Sequence, residues 1–315
     1  MKAYLAGSFP RHEELIKAFR DHAKNKISTQ HLRYQIELHT REVVEIQHKN
    51  KLSYIVDGML TWDDLLRPFA SSLEKVEING LARWFDNNFF YKIPVIKGEL
   101  RLRGGFDKSF DFTHMIPRGK RKIILPDPFS FAALSENQFY RSFEELVFDV
   151  SDSLAAFVNE LGTFEQIQLT APNLVFHKAS EKDVQVFSQA IASFRTKAAG
   201  ELLLHFPYGS GSSIIEDVIE LPVDVIGFDM YKNSVDSIKA IDGRKAIYLG
   251  VVDGRNTLLE KPEHIISIIT KVEKIARPSE IHFGPNCELE HLPYPYAVMK
   301  VNLIGEVYTQ VTGVG

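Results

Sequence analysis

Three residue types able to share a metal ion stand at the ends of separate apolar runs. His205 lies in "ELLLHF" (201–206), Asp229 closes "DVIGFD" (224–229), and Cys287 follows "EIHFGP" (280–285). Imidazole, carboxylate and thiolate together suit Zn²⁺, and a catalytic zinc site keeps a fourth position open. A metal would also lower the thiol pKa, which matters if Cys287 is to be a nucleophile. The same three residues equally suit strand-end polar groups bonded to loop backbone. Pro207 follows closely on His205 and offers no side-chain ligand.

The elements that would carry these residues are short and regular. Eight apolar runs recur: 3–7, 53–57, 122–127, 166–171, 201–206, 224–229, 246–251 and 280–285. They are mostly continuous in hydrophobicity, as strands buried on both faces are. Helical patterns separate them. Phe143, Leu146, Val147, Val150, Leu154, Phe157, Val158 and Leu161 form one helical stripe. Leu32, Ile36, His39, Val43 and Ile46 form another, with Ser28 as its N-cap. Eight strands alternating with helices predict an α/β fold, a (β/α)₈ TIM barrel, spanning residues 1–315 as a single domain. Residues 58–88 make a long excursion after the second strand. Residues 89–121 alternate apolar and polar, with Gly104-Gly105 inside, and predict an inserted β-hairpin or arm. An open doubly wound sheet is the alternative, but no G-x-G-x-x-G follows any strand.

Barrel sites gather where strands end, because those loops converge on one face. The first strand delivers Gly7, Ser8 and Arg11, the second Asp57 and Gly58, the third Asp127, and the fourth Asn173. The fifth delivers His205 and Tyr208, the sixth Asp229 and Tyr231, the seventh Asp253 and Arg255, and the eighth Asn286 and Cys287.

The 315 residues are 44% hydrophobic and 25% charged, which is ordinary globular composition with material for a large core. A formal net charge of −4 gives no basic excess for nucleic acid or an anionic membrane. A single cysteine rules out an internal disulfide and fits a reducing compartment. The opening residues do not read as a signal peptide, and no uninterrupted apolar run would cross a bilayer. The expected location is cytoplasmic.

Several motifs, in order, resemble cobalamin-independent methionine synthase: "GSFPR" (7–11), "DGMLTWDDLLRPF" (57–69), "RWFDNNFFYKIP" (83–94), "DPFSF" (127–131), "LPVDVIGFDMY" (221–231), "YLGVVDGRN" (248–256) and "GPNCELEHLP" (284–293). The resemblance covers most of the chain and implies a (β/α)₈ barrel. Large enzymes of that family contain two related barrels. One carries zinc and binds homocysteine; the other lacks the metal and helps hold the folate polyglutamate tail. The zinc barrel has His-x-Cys after its fifth strand, where this chain reads His205-Phe206-Pro207. It has a glutamate ligand where Asp229 stands, and its last cysteine is matched by Cys287. Its Asp-Glu-Pro motif is replaced by Thr170-Ala171-Pro172. The resemblance therefore implies an incomplete zinc site and the N-terminal-type, donor-binding barrel.

That assignment implies Gly7, Ser8, Arg11, Lys17, Arg83, Trp84, Asp86 and Asn87 for binding the methyl donor, methyltetrahydrofolate polyglutamate or a related compound. Ammonium and guanidinium groups suit a glutamate tail. The expected function is methyl transfer to homocysteine, in methionine biosynthesis, alongside a separate zinc-bearing barrel. Two alternatives are a self-sufficient metal-dependent methyltransferase using His205, Asp229 and Cys287, and a non-catalytic subunit that binds a pterin or a corrinoid protein.

Overall fold

The computed structural model describes residues 1–104 and 112–313. Gly105, within the expected arm, lies outside the described residues. Among those described, seven strands form one curled parallel sheet. They are β1 (Lys2–Ala3), β4 (Lys122–Pro126), β6 (Gln166–Thr170), β7 (Glu201–Phe206), β8 (Val225–Asp229), β9 (Ala246–Val252) and β10 (Ile281–Pro285), and their spatial order is β1-β10-β9-β8-β7-β6-β4. Each matches an apolar run read from the sequence.

The eighth expected strand, 53–57, is not a strand. It makes a single parallel bridge, Ile55 to Arg121. Its backbone nevertheless reaches both edges of the sheet: Ser53 N–H donates to Ala3 O (2.8 Å) and Ile55 N–H to Lys120 O (2.8 Å). The groups of the next residue, Val56, are taken by a side chain. Gln47 Nε2 donates to Val56 O at 2.7 Å, and its Oε1 accepts from Val56 N–H at 3.1 Å. A buried backbone needs partners, and here helix α2 (Thr29–Lys49) supplies those a ladder would have given.

The helices pack on the outside of the curl. α2 starts at the expected cap, with Ser28 Oγ accepting from His31 N–H at 3.1 Å. α5 (Phe143–Leu161) has the bounds its stripe predicts, capped by Ser142 and ended by Gly162 at φ 120°. Its buried face meets α7 (Glu181–Lys197), where Ser151 Oγ donates across to Ala190 O at 2.8 Å. The outward strand residues Leu204, Phe206, Phe228, Leu249 and Phe283 join this apolar layer, which is the main core.

The antiparallel hairpin lies earlier than expected. β2 (Val76–Arg83) pairs with β3 (Phe90–Ile96), and β5 (Glu136–Asn137) adds to β3 in parallel. The register breaks between Asn79 and Ala82, where Gly80 takes φ 66°. The turn is Trp84–Phe89.

The inner face of the curl is polar. Tyr4 stacks on Tyr248 with ring centroids 5.0 Å apart, and its hydroxyl lies 2.7 Å from His282 Nδ1. Gln168 Nε2 crosses to Ala6 O at 2.7 Å. Lys122 is 3% exposed, its ammonium nitrogen 3.8 Å from the Tyr4 ring centroid and without a hydrogen-bond partner. Proximity to the ring would favour a cation, but burial dominates and holds the lysine pKa well below its usual range. At the far mouth, Lys2 bonds Glu201 (2.5 Å) and lies 3.4 Å from Glu280.

Lys122 holds its proton less tightly in the folded chain than in the unfolded one, so stability rises with pH up to the ordinary lysine value. We expect Lys122→Met to raise the melting temperature at pH 7, by about 1–2 °C per kcal/mol recovered in a chain of 315 residues. The gap should narrow as pH approaches 10. A lower melting temperature would show a charged lysine held by the Tyr4 ring.

Candidate functional site

A cleft opens where the strands end. It is narrow, with a cavity volume of about 40 Å³. Gly7 and Ser8 come from the segment after β1, and Trp62, Asp63 and Asp64 from the excursion. Trp84, Phe89, Phe90 and Tyr91 come from the hairpin, and Glu288, Glu290 and His291 from the segment after β10. Elements far apart in sequence therefore meet at one rim, as parallel strand order dictates.

Glu288 is the centre of its polar wall. Trp84 Nε1 donates to the Tyr208 hydroxyl at 3.3 Å, and that hydroxyl donates to Glu288. His291 Nε2 lies 3.7 Å from the same carboxylate, its ring edge-on to Phe89 with centroids 4.4 Å apart. Burial pushes the Glu288 carboxyl up, but His291 and Tyr208 outweigh it and hold the group below the usual range. Glu290 accepts from Ser8 Oγ at 2.6 Å, and burial leaves its carboxyl raised. Gly7 lets these groups approach, because a Cβ there would lie 2.5 Å from Glu288 Cγ. Met59, Phe85, Asp86 and Tyr208, around the cleft, hold positive φ of 54°, 31°, 57° and 69°. Such backbone is uncommon for non-glycine residues and clusters at functional sites.

The residues expected to bind a donor divide. Gly7, Ser8 and Trp84 line the cleft. Arg11 holds the excursion in place, donating to Leu60 O (2.7 Å) and Trp62 O (2.6 Å) and pairing with Asp63. Lys17 is exposed on α1 (Glu13–Ala23), away from the lining. Arg83 is exposed and folds over the hairpin turn, donating to Asn87 O at 2.7 Å. Asn87 Oδ1 accepts from Phe89 N–H at 2.9 Å, and Asp86 sits exposed in the turn.

The three expected metal ligands do not converge. Asp229 pairs in register with Gly250, whereas His205 pairs with Gly227, two residues earlier on the strand of Asp229. At about 3.3 Å per residue, His205 lies roughly 6.6 Å deeper in the curl. It is fully buried, 3.4 Å from Gln168 Nε2 and edge-on to Tyr248. Burial, then Lys122, pushes it down to about 3, so it is neutral. Asp229 is committed to Asn286 Nδ2 (3.0 Å) and Arg255 (3.2 Å). These residues do not fit a zinc ion, which corrects the expectation. Among the described residues, Cys287 instead groups with Glu288 and His291, their ligand atoms within 4.8 Å. Burial raises the Cys287 thiol well above its usual range. Two further groups, His12–Glu14–His39 and Glu201–Glu280–His282, lie outside the cleft lining.

Sequence reasoning passed over Glu288, Glu290, His291 and Trp62 as site residues, although all four fall in quoted motifs. Their signal was position: two loops that the strand order brings against Gly7.

Residues 69–277 match the family described as cobalamin-independent synthase, N-terminal domain. Methionine synthase of Sulfurisphaera tokodaii is 26% identical over 308 residues, 94% of this chain and 88% of that protein. Methionine synthase of Saccharolobus solfataricus is 25% identical over 309 residues, with 94% and 90% covered. Among solved structures, a putative vitamin-B12 independent methionine synthase from Listeria monocytogenes superposes with TM-score 0.79 at 14% identity, covering 99% of this chain and 98% of that one. A B12-independent methionine synthase from Shewanella, in complex with selenomethionine, gives TM-score 0.75 at 16% identity, covering 98% of each. The solved structures establish the shared fold.

Tyr208→Phe should cost about 1–3 kcal/mol at neutral pH, because a buried carboxylate loses its donor. Glu288 has a depressed folded pKa, so its contribution is present above the unfolded value and lost as pH falls through the folded one. Urea melts of variant and parent should therefore converge in acid. A constant difference at every pH would place the effect elsewhere.

Proposed function

The chain belongs to the cobalamin-independent synthase N-terminal-domain family, and from that premise we propose that it acts in methyl transfer to homocysteine, in methionine biosynthesis. In this reading it is the methyl-donor-binding half of a split enzyme, working in the cytoplasm. A separate zinc-bearing barrel holds homocysteine as a thiolate. The donor is methyltetrahydrofolate or a related methyl compound. Segment 53–57, bonded to both edges of the curl, serves as the eighth stave of a closed barrel.

The observation that carries this reading is the shape of the rim. It has a formed cleft of aromatic rings and carboxylates, while His205 and Asp229 are committed elsewhere. Zinc in a methionine synthase supplies a thiolate nucleophile at neutral pH. This chain's own residues supply binding and orientation, which alone can lower a bimolecular barrier by several kcal/mol, about 7–11 at best. Gly7, Ser8 and Trp84 shape the cleft, and the Trp84–Tyr208–Glu288 chain fixes its polar wall.

The grouping of Cys287, Glu288 and His291 favours a second reading, a metal-dependent methyltransferase complete in itself. One experiment separates the two. The purified chain is assayed for metal, then for homocysteine methylation with and without a zinc-barrel partner from the same genome. The first reading expects little bound metal and turnover only in the mixture. Near-stoichiometric metal with turnover by the chain alone, lost in Cys287→Ser, would replace it with the second. No turnover in any combination would remove both.

A further inference from the structure

The carboxylates of the cleft differ in the kind of partner they have. Asp63 and Asp64 both face Arg67, and Asp63 also meets Arg11. Glu290 sits against Ser8 and has a raised carboxyl. Glu288 stands apart: its side chain is 15% exposed, and its ion-pairing neighbour is His291. Among the described residues no Lys or Arg pairs with Glu288, and neither type lines the cleft. Around it stand the rings of Trp62, Trp84, Phe89, Phe90 and Tyr91. Aromatic faces attract cations, and a carboxylate whose partners are a phenol and an imidazole, with no Lys or Arg beside it, can still take a cationic counter-ion in a partly desolvated cleft.

We propose that this cleft binds a methylated onium centre, a compact ammonium or sulfonium cation, with Glu288 as its counter-ion and the aromatic rings as its walls. The proposal rests on the methyl-donor reading only for calling the ligand a donor. It adds that the reactive end of that donor is positively charged when bound. The cations expected for a glutamate tail support the division. Arg83 is folded onto the exposed hairpin turn, Lys17 is on an outer helix face, and Arg11 is tied to backbone carbonyls. A polyanion would find no Lys or Arg partner along the lining residues.

Both tryptophans of the chain line the cleft, so intrinsic fluorescence reports on it directly. The full chain is titrated with choline, with its uncharged tert-butyl isostere, and with tetraglutamate. Choline should saturate the signal, and the isostere should not. Glu288→Gln should weaken choline roughly tenfold, the scale of a lost buried counter-ion and ring attraction. Phe89→Leu keeps the carboxylate, removes one ring face and should weaken choline several-fold. Thermal melts confirm that each variant is folded; should Glu288→Gln fail to fold, Phe89→Leu and the isostere decide. Equal binding of the isostere, unchanged affinity in folded variants, or displacement of choline by tetraglutamate would overturn the proposal. Choline binding without methyl transfer in any mixture would sink the proposed function and leave this site standing. Transfer from a donor that stays uncharged, with no choline binding, would do the reverse.

Discussion

Parallel register is the constraint on which the rest depends. In a parallel sheet side chains alternate faces, and each residue advances the chain by about 3.3 Å. Register therefore sets both the face and the depth of every side chain. Leu204, Phe206, Phe228 and Phe283 turn outward to the helices. Tyr4, Lys122, Gln168, His205 and Tyr248 turn inward, where polar groups must find partners among themselves. The inner network is incompletely satisfied: Lys122 Nζ and His205 Nε2 lack hydrogen-bond partners. Burial favours the uncharged form of both groups, which lowers the cost of leaving those atoms unpaired.

The same constraint separates structure from chemistry along a single strand. His205 is one layer too deep to meet Asp229, and Asp229, at the end of β8, is held by Asn286 and Arg255. The cleft is built by residues beyond the strand ends. There Gly7 permits close approach, Tyr208 and Trp84 orient Glu288, and the hairpin β2–β3 contributes the aromatic wall. The hairpin thus forms part of the cleft wall, and Arg83 and Asn87 hold its turn.

Legibility followed the range of the interactions. α5 was readable to its bounds, because its stripe, its Ser142 cap and Gly162 are all local. Segment 53–57 was readable as apolar and buried, but its pairing was not. Gln47, from the preceding helix, competes with a ladder for the backbone of Val56, and nothing in the segment announces it.

From the amino-acid order alone came eight expected strands, seven of which form the parallel sheet, the helices between them, and the expectation that strand ends carry the site. Hydrophobic period and capping chemistry are written within a dozen residues, so no tertiary information is needed to read them. Only the folded chain decided that Cys287 stands with Glu288 and His291 and not with His205 and Asp229. Depth in a curled sheet depends on register between strands and on loop path, and both are set by packing across the whole molecule.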